Sequence, residues 1–128
     1  MVNWTFFDYV SPANSNPIVK WLDTLTTQER SDLRELLKYL SKVQNWQHPV
    51  FKWLRGKKYQ GLGEIRFKTL QGIPLRLIGI KGNEPNTFIF LVGCSHKENY
   101  DPPSALDTAN KRRGDLNKEA TICDHREN

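Results

Sequence analysis

Two arginines and a histidine lie in strand-like segments from which they could act together on a negatively charged group. The segment GEIRFKTLQGIPLRLIGI, residues 63–80, reads as two β-strands joined by a tight turn, with Arg66 and Arg76 in mid-strand. Guanidinium groups bind phosphate oxygens bidentately. The imidazole of His96 can exchange a proton near neutral pH. These residue types, brought to one place, suit the chemistry of a phosphodiester.

The turn between the two strands decides whether the arginines meet. A two-residue turn places Arg76 opposite Phe67 and mixes polar with apolar side chains on each face. A three-residue loop at positions 70–72, with glycine in the left-handed conformation, pairs Arg66 directly with Arg76. We predict this loop because it separates the two kinds of side chain. Like charges opposite each other in a sheet are mildly destabilising. Either Glu64 offsets this repulsion, in a surface cluster without function, or an anion from outside the protein offsets it.

The next hairpin places the histidine. A five-residue loop at 82–86 pairs Lys81 with Thr87. This register brings Cys94 and His96 to the arginine face, beside Lys68, and Lys97 follows His96. A loop one residue shorter would reverse the faces. The same register puts two groups of apolar side chains on opposite faces. Ile89 and Leu91 join the core, whereas Ile78, Ile80, Phe88 and Phe90 need cover from the last helix or from a partner.

The elements that must position these residues follow from hydrophobic periodicity and capping signals. Strands are predicted at 4–10, 63–70, 73–81 and 87–96, with an irregular stretch at 46–62 that includes a short turn or strand. One helix starts after Asn16 at Pro17. A second starts with a Thr26–Glu29 capping box and runs to about Val43. A last helix follows the prolines at 102–103 and carries Leu106, Ala109, Arg112 and Leu116 on one side.

The order β-α-α-β-β-β-α predicts an α+β sandwich, one antiparallel sheet with helices packed on one face. We predict a single domain at 1–116, followed by a polar, flexible tail at 117–128. The 128 residues are 38% hydrophobic and 26% charged, as in ordinary globular proteins. Two cysteines and three histidines, all dispersed, show no metal-ligand spacing.

The net charge of +5 favours an anionic partner such as nucleic acid, an acidic protein or a membrane surface. No apolar run approaches the length of a membrane span, and the first ten residues, MVNWTFFDYV, lack the layout of a signal peptide. We therefore expect a cytoplasmic protein.

The two-arginine hairpin, followed by FIFLVGCSHKENYDPPSALDTANKRR, resembles the RelE/ParE superfamily of bacterial toxins from type II toxin–antitoxin systems. The most similar branch is the phage-derived, HigB-like one. The resemblance spans about residues 50–113, and the upstream β-α-α order agrees with it. Its pattern is matched in order by Glu64-Ile65-Arg66, Arg76, Gly93, His96-Lys97, Pro102, Ala109 and Arg112.

This resemblance implies a RelE-like sandwich and a toxin that is often a ribosome-dependent mRNA endonuclease, also called an mRNA interferase. Such enzymes use the 2′-hydroxyl of the message as nucleophile, without metal or other cofactor. Arg66 and Arg76 would hold the phosphate, and His96 or Lys97 would act as base or acid. Tyr100 would stack on a base or assist proton transfer.

The resemblance also implies partners: a cognate antitoxin, the ribosome and mRNA, with the free toxin monomeric and oligomeric only with its antitoxin. RNA backbone contacts are assigned to Lys57, Lys58, Lys68, Lys111 and Arg112. For the basic run NKRR at 110–113, an exposed helix face is the simpler interpretation.

The sequence departs from the common branch at GCSHKENY, where an aromatic after the glycine and several lysines are usual. Two other functions therefore stay open. One is a ParE-like inhibitor of DNA gyrase that cuts nothing, and the other is an inactive, antitoxin-binding relative. His96 beside Lys97 favours the nuclease, because a gyrase binder needs no proton donor.

Overall fold

A computed structural model describes residues 3–125 and shows an α+β fold built on a mostly antiparallel open sheet. Within these residues there are seven strands and three helices. The strands are β1 (Thr5–Val10), β2 (Phe51–Trp53), β3 (Gly63–Lys68), β4 (Pro74–Lys81), β5 (Thr87–His96), β6 (Tyr100–Asp101) and β7 (Thr121–Asp124). The helices are α1 (Pro17–Leu22), α2 (Thr27–Leu40) and α3 (Ala105–Leu116).

The sheet order is β2-β3-β4-β5-β1-β7, with β6 paired to the end of β5. All neighbours are antiparallel except β1 and β5, which run parallel from Thr5↔Thr87 to Asp8↔Phe90. The prediction of a purely antiparallel sheet is therefore wrong at this pair. Parallel neighbours need a long connection, and here the chain supplies α1, α2 and three strands between them.

The two predicted helix starts are confirmed. The Asn16 side chain accepts hydrogen bonds from the backbone N–H groups of Ile18 and Val19, and Thr26 forms a full capping box with Glu29. However, α2 ends at Leu40 rather than near Val43. The indole N–H of Trp46 donates to the Leu40 carbonyl at 2.9 Å, so a tryptophan satisfies a helix-end carbonyl there.

The main core lies between the α1–α2 layer and one face of the sheet. It is formed by Ile18, Leu22, Leu33, Leu37 and Leu40 against Phe51, Ile65, Leu77, Phe88 and Phe90. Phe88 and Phe90 are fully buried in it, so the prediction that they need cover from the last helix or a partner is wrong. On this face a Cβ at Gly93 would overlap the ring of Trp21, so glycine lets α1 approach the sheet.

The opposite face of the sheet is covered by α3, so helices lie on both faces rather than on one. Ala105 and Ala109 of α3 pack with Ile78, Ile89, Leu91, Val92 and Cys94. Ile80 also packs there, as predicted for the last helix. Ile89 and Leu91, predicted to share the face of Leu77, lie instead on the α3 side.

The β3–β4 register is confirmed in full. Arg66 pairs with Arg76 and Ile65 with Leu77, and the connecting loop holds Gly72 at φ 81°. A positive φ of this size favours glycine, so Gly72 adopts the left-handed conformation that the three-residue loop requires.

The β4–β5 register differs from the prediction in two places, and the two shifts add up to two residues near the arginines. Lys81 pairs with Phe88 rather than Thr87, which turns Phe88 and Phe90 towards α1 and α2. A β-bulge between Ile78 and Gly79 then shifts the register by another residue. Because the side-chain period of a strand is two, the second shift restores the predicted face, and Arg76 pairs directly with Cys94.

The tail predicted to be flexible is ordered through its described part. Residues 121–124 form β7, which pairs with β1 and extends the sheet past the predicted boundary at 116. Directly after β7, Nδ1 of His125 lies 2.7 Å from the Asp8 carboxylate, which is 1% exposed and accepts a bond from Asn16. A buried carboxylate requires such partners. Residues 126–128 lie outside the described part of the chain.

Across residues 3–125, none of the helices has the length and apolar character needed to cross a membrane.

Candidate functional site

The predicted arginines, histidine and tyrosine meet at one end of the sheet face that α3 covers. We call Glu64, Arg66, Arg76, His96 and Tyr100 the arginine cluster. Strand alternation positions the first three, because Glu64 and Arg66 are two apart on β3 and Arg76 stands opposite Arg66 on β4. His96 ends β5 and pairs with Tyr100 of β6. All five side chains thus come from four neighbouring strands.

Glu64 is the charge centre of the cluster. Its side chain is only 3% exposed, and its Oε1 accepts two hydrogen bonds from Arg66, from Nε at 2.9 Å and from Nη2 at 2.6 Å. The hydroxyl of Tyr100 donates to Oε2 at 2.7 Å. A carboxylate so deeply buried is stable only with such partners. The local carboxylate anticipated from the like-charge pair is therefore present.

Arg76 is held less completely than Arg66. Its Nε lies 3.6 Å from Oε1 of Glu64, an ion-pair distance beyond hydrogen-bonding range, and is buried without a hydrogen-bond partner in the described chain. Nη1 donates to the Leu75 carbonyl at 3.1 Å. Burial lowers the pKa of Arg76, while Glu64 raises it and Arg66 lowers it. An arginine stays charged through such a shift, so Arg76 keeps a positive charge that Glu64 only partly offsets.

Tyr100 and His96 border the arginines. Their rings lie 4.4 Å apart between centroids and nearly perpendicular, at 76°. Burial raises the pKa of Tyr100, and its hydrogen bond to Glu64 raises it further. The phenol therefore stays protonated at neutral pH and cannot act as a base there. His96 is half-buried at the end of β5.

Cys94 lies opposite Arg76 but does not add a nucleophile. The side chain is 1% exposed, and burial raises the pKa of its thiol to about 12, with Glu64 contributing. Since the thiolate is the reactive form, Cys94 packs as a small apolar side chain.

The predicted RNA-contacting residues are dispersed over several elements of the fold. Lys68 ends β3 on the arginine face and is exposed, and Lys97 is exposed in the connection from β5 to β6. Lys57 is exposed in the loop between β2 and β3. Lys58, in the same loop, forms an ion pair with Asp107 of α3 at 2.9 Å.

The two predicted contacts on α3 differ from each other. Lys111 is exposed. Arg112 is half-buried, donates to the Leu91 carbonyl at 2.7 Å and lies over the ring of Tyr9. Arg112 therefore fastens α3 to the sheet, and this contact explains the residue better than RNA binding does.

The sequence reasoning missed one basic and aromatic surface, around Trp53 and Lys81. The ammonium of Lys81 lies 5.5 Å from the centroid of the Trp53 ring, and Trp53 is 42% exposed. An alternation of aromatic and basic residues in FKWLRGKK, from 51 to 58, was the available signal.

No protein-family model, curated protein or solved structure matches the chain. In the part of the chain that the structure describes, no group of three or more His, Cys, Asp and Glu side chains is arranged to hold a metal ion.

The charges of the arginine cluster leave a positive site. Arg66 and Arg76 contribute +2 and Glu64 contributes −1, which leaves +1 before His96 is counted. A partly exposed guanidinium pair beside an imidazole can bind a phosphate and move a proton. The buried carboxylate fixes the positions of Arg66 and Tyr100, which is the preorganisation that electrostatic catalysis requires.

Proposed function

We propose that this protein is the toxin of a type II toxin–antitoxin system and acts as a ribosome-dependent, metal-independent mRNA endonuclease with a RelE-like arrangement of its fold. One observation carries the proposal: Arg66 and Arg76 pair directly on adjacent strands, on the same face as His96. Two cations that like-charge repulsion would separate are held together by Glu64. Arg66 and Arg76 keep 21% and 14% of their side-chain surface exposed.

The reaction needs one base, one acid and a phosphate-binding group. His96 takes the proton of the 2′-hydroxyl, whose oxygen then attacks the adjacent phosphorus. Arg66 and Arg76 stabilise the charge that develops on the phosphate oxygens. The bond to the 5′-oxygen of the next nucleotide breaks, and Lys97 supplies the proton to that oxygen. The products are a 2′,3′-cyclic phosphate and a 5′-hydroxyl end.

Tyr100 has a positioning role in this scheme. Its hydroxyl is committed to Glu64, and its raised pKa keeps it protonated. It holds the carboxylate that orients Arg66, and its ring supports the imidazole of His96.

The partners in this proposal are a cognate antitoxin, the ribosome and mRNA in the cytoplasm, and the free toxin is a monomer. The net charge of +5 supports attraction to RNA. A type II antitoxin is a protein, so a neighbouring reading frame for a small acidic protein would agree with the proposal.

A second candidate, a toxin relative without nuclease activity, is favoured by one feature. Arg66 gives both of its hydrogen bonds in the cluster to Glu64, an arrangement that a purely structural ion pair would also adopt. In this form the protein would inhibit DNA gyrase, or would only bind its antitoxin.

The test is to express the protein alone in bacteria and to sequence RNA 5′ ends shortly after induction. We expect growth arrest and new breaks inside translated messages, both relieved by Arg76→Ala. Lys20→Ala, which removes an exposed cation from α1, is the matched control and should remain toxic. Intact messages with a DNA-damage response would support the gyrase alternative, and normal growth at equal protein level would support the inactive one.

A further inference from the structure

A second basic and aromatic surface lies at the far end of strand β2, apart from the arginine cluster. It is an open groove with a volume of about 640 Å³. Its walls include Trp53 at the end of β2, Leu54 directly after that strand, Ile80 and Lys81 from β4, and Arg113 from α3. We call it the tryptophan groove. Three separate elements therefore contribute to it.

Trp53 leaves a large aromatic surface in water. Its side chain is 42% exposed, although tryptophan is on average highly buried in folded proteins. The ring is nevertheless fixed, because it packs against Phe51 at 4.8 Å between centroids and 85° between planes. A fixed, exposed indole is a ready stacking partner for a flat ligand.

The cations of the groove are not neutralised by carboxylates. Lys81 lies 5.5 Å from the centroid of the Trp53 ring. Arg113 donates to the backbone carbonyls of Gln60 and Lys58 and to the side chain of Asn110, all of which are uncharged acceptors. Within residues 3–125, neither cation lies at ion-pair distance from an acidic side chain. The groove thus combines an aromatic platform with two positive charges.

We propose that the tryptophan groove binds an unpaired nucleotide of single-stranded RNA, with its base stacked on Trp53 and its phosphates near Lys81 and Arg113. This inference rests on the proposed function, since it adds a second contact for the same RNA. An aromatic platform flanked by cations is the arrangement that binds unpaired nucleic acid without reading its sequence. An acidic peptide would be attracted by the charges, but it has no flat group that matches the indole.

The strand register fixes where the tryptophan groove lies relative to the arginine cluster. Trp53 pairs with Gly63, and Gly63 with Gly79, in a row that crosses the sheet three residues from the pair Arg66–Arg76. Three residues of strand correspond to roughly 10 Å. Because three is an odd number of residues, the Trp53 ring and the pair Arg66–Arg76 lie on opposite faces of the sheet, so the groove is a contact separate from the arginine cluster.

The test measures binding of a fluorescein-labelled, twelve-nucleotide oligoadenylate to the purified protein by fluorescence anisotropy, without ribosomes. We expect the single strand to bind more tightly than the same strand in a duplex. Trp53→Ala should weaken single-strand binding about 5- to 100-fold, whereas Trp53→Phe should retain most of it. Tyr39→Ala, at an aromatic residue that is 60% exposed on α2, is the matched control and should bind as the wild type does.

Lys81→Glu tests the charges independently of the indole, and circular dichroism checks that each variant is folded. The Lys81→Glu substitution should weaken RNA binding. It should also make the slope of log K against log salt shallower by about 1, since one fewer phosphate is neutralised. Wild-type affinity in a folded Trp53→Ala or Lys81→Glu protein, or equal affinity for duplex and single strand, overturns the inference. A second outcome also overturns it: polyglutamate displaces the RNA, and the binding of polyglutamate itself depends on Trp53. That result would assign the groove to an acidic protein.

The binding assay also separates this inference from the proposed function. If messages remain intact in cells while RNA binding depends on Trp53, the nuclease proposal fails and the groove stands. If messages are cleaved and Trp53→Ala binds RNA like the wild type, the groove fails and the nuclease proposal stands.

Discussion

Glu64 determines how two like charges can share one face of the sheet. Its side chain is 3% exposed, and its carboxylate receives hydrogen bonds from Arg66 and Tyr100, with Nε of Arg76 3.6 Å away. Breaking a buried ion pair by removing one partner is strongly destabilising, because the other charge is left uncompensated. Two arginines depend on this one group, although both reach solvent in part. The same residue therefore supports both the fold and the proposed phosphate site.

Glu64→Gln should destabilise the protein substantially. We expect a loss of about 3 kcal/mol in the free energy of unfolding, since two guanidinium groups lose their counter-charge. Tyr100→Phe, which removes a single hydrogen bond to the carboxylate, should cost about 1.5–3 kcal/mol. Urea denaturation of both variants measures these values. Equal stability of Glu64→Gln and the wild type would mean that the ion pairs contribute nothing to folding.

Cys94 should resist thiol reagents in the folded protein. Its pKa is raised from 9.0 to about 12, so at pH 9 only about one thiol in a thousand is ionised, and burial blocks access as well. Cys123 is exposed. We therefore expect one reactive thiol per molecule between pH 7 and 9, and a second only after unfolding. Cys123→Ser should abolish native labelling, and labelling that persists in this variant would contradict the burial of Cys94.

Among the elements, the strands show how far alternation can predict a site. The β3–β4 loop follows from the sorting of apolar and polar side chains, and with it the pairing of Arg66 and Arg76. The same reasoning fails for Phe88 and Phe90, because it cannot detect a β-bulge or a loop one residue longer. Near Cys94 the two one-residue shifts add up to two, which is one full period of strand alternation. The face that Cys94 shares with Arg76 was therefore predicted correctly, although the pairing of individual residues was not.

Strand β7 was missed because its stability comes from a distant contact. Each residue of β7 is exposed, and the segment has no hydrophobic alternation. Its order depends on pairing with β1 and on the contact between His125 and Asp8, which are 117 positions apart. No local signal in the sequence reports such a contact.

His125→Ala should loosen β7 without unfolding the sheet. The imidazole lies 2.7 Å from the buried Asp8 carboxylate, and losing a hydrogen bond to a charged group costs about 1.5–3 kcal/mol. Hydrogen exchange should therefore speed up in β7 by about ten-fold or more, while amides of β4 and β5 keep their protection. Lys118→Ala, at an exposed position before the strand, is the control. Unchanged exchange in β7 would show that backbone pairing alone holds it.

For the molecule as a whole, the two faces of the sheet have different tasks. The α1–α2 layer covers the larger apolar core, including Phe88 and Phe90. The arginine cluster lies at one end of the face that α3 covers, with His96 half-buried there. Composition predicts attraction to RNA from the net charge of +5, but only folding determines which cations share a face. Lys58 and Arg112 show this, because Lys58 forms a surface ion pair with Asp107 and Arg112 donates to the Leu91 carbonyl.

The most direct test of the nuclease account uses purified protein, translating ribosomes and a defined message. We predict cleavage within the translated region that leaves a 5′-hydroxyl and a 2′,3′-cyclic phosphate. A single 2′-deoxy substitution at the cleaved nucleotide should abolish it, as should Arg76→Ala or His96→Ala. Cleavage of the 2′-deoxy message, or wild-type cleavage by the Arg76→Ala protein, would contradict the account.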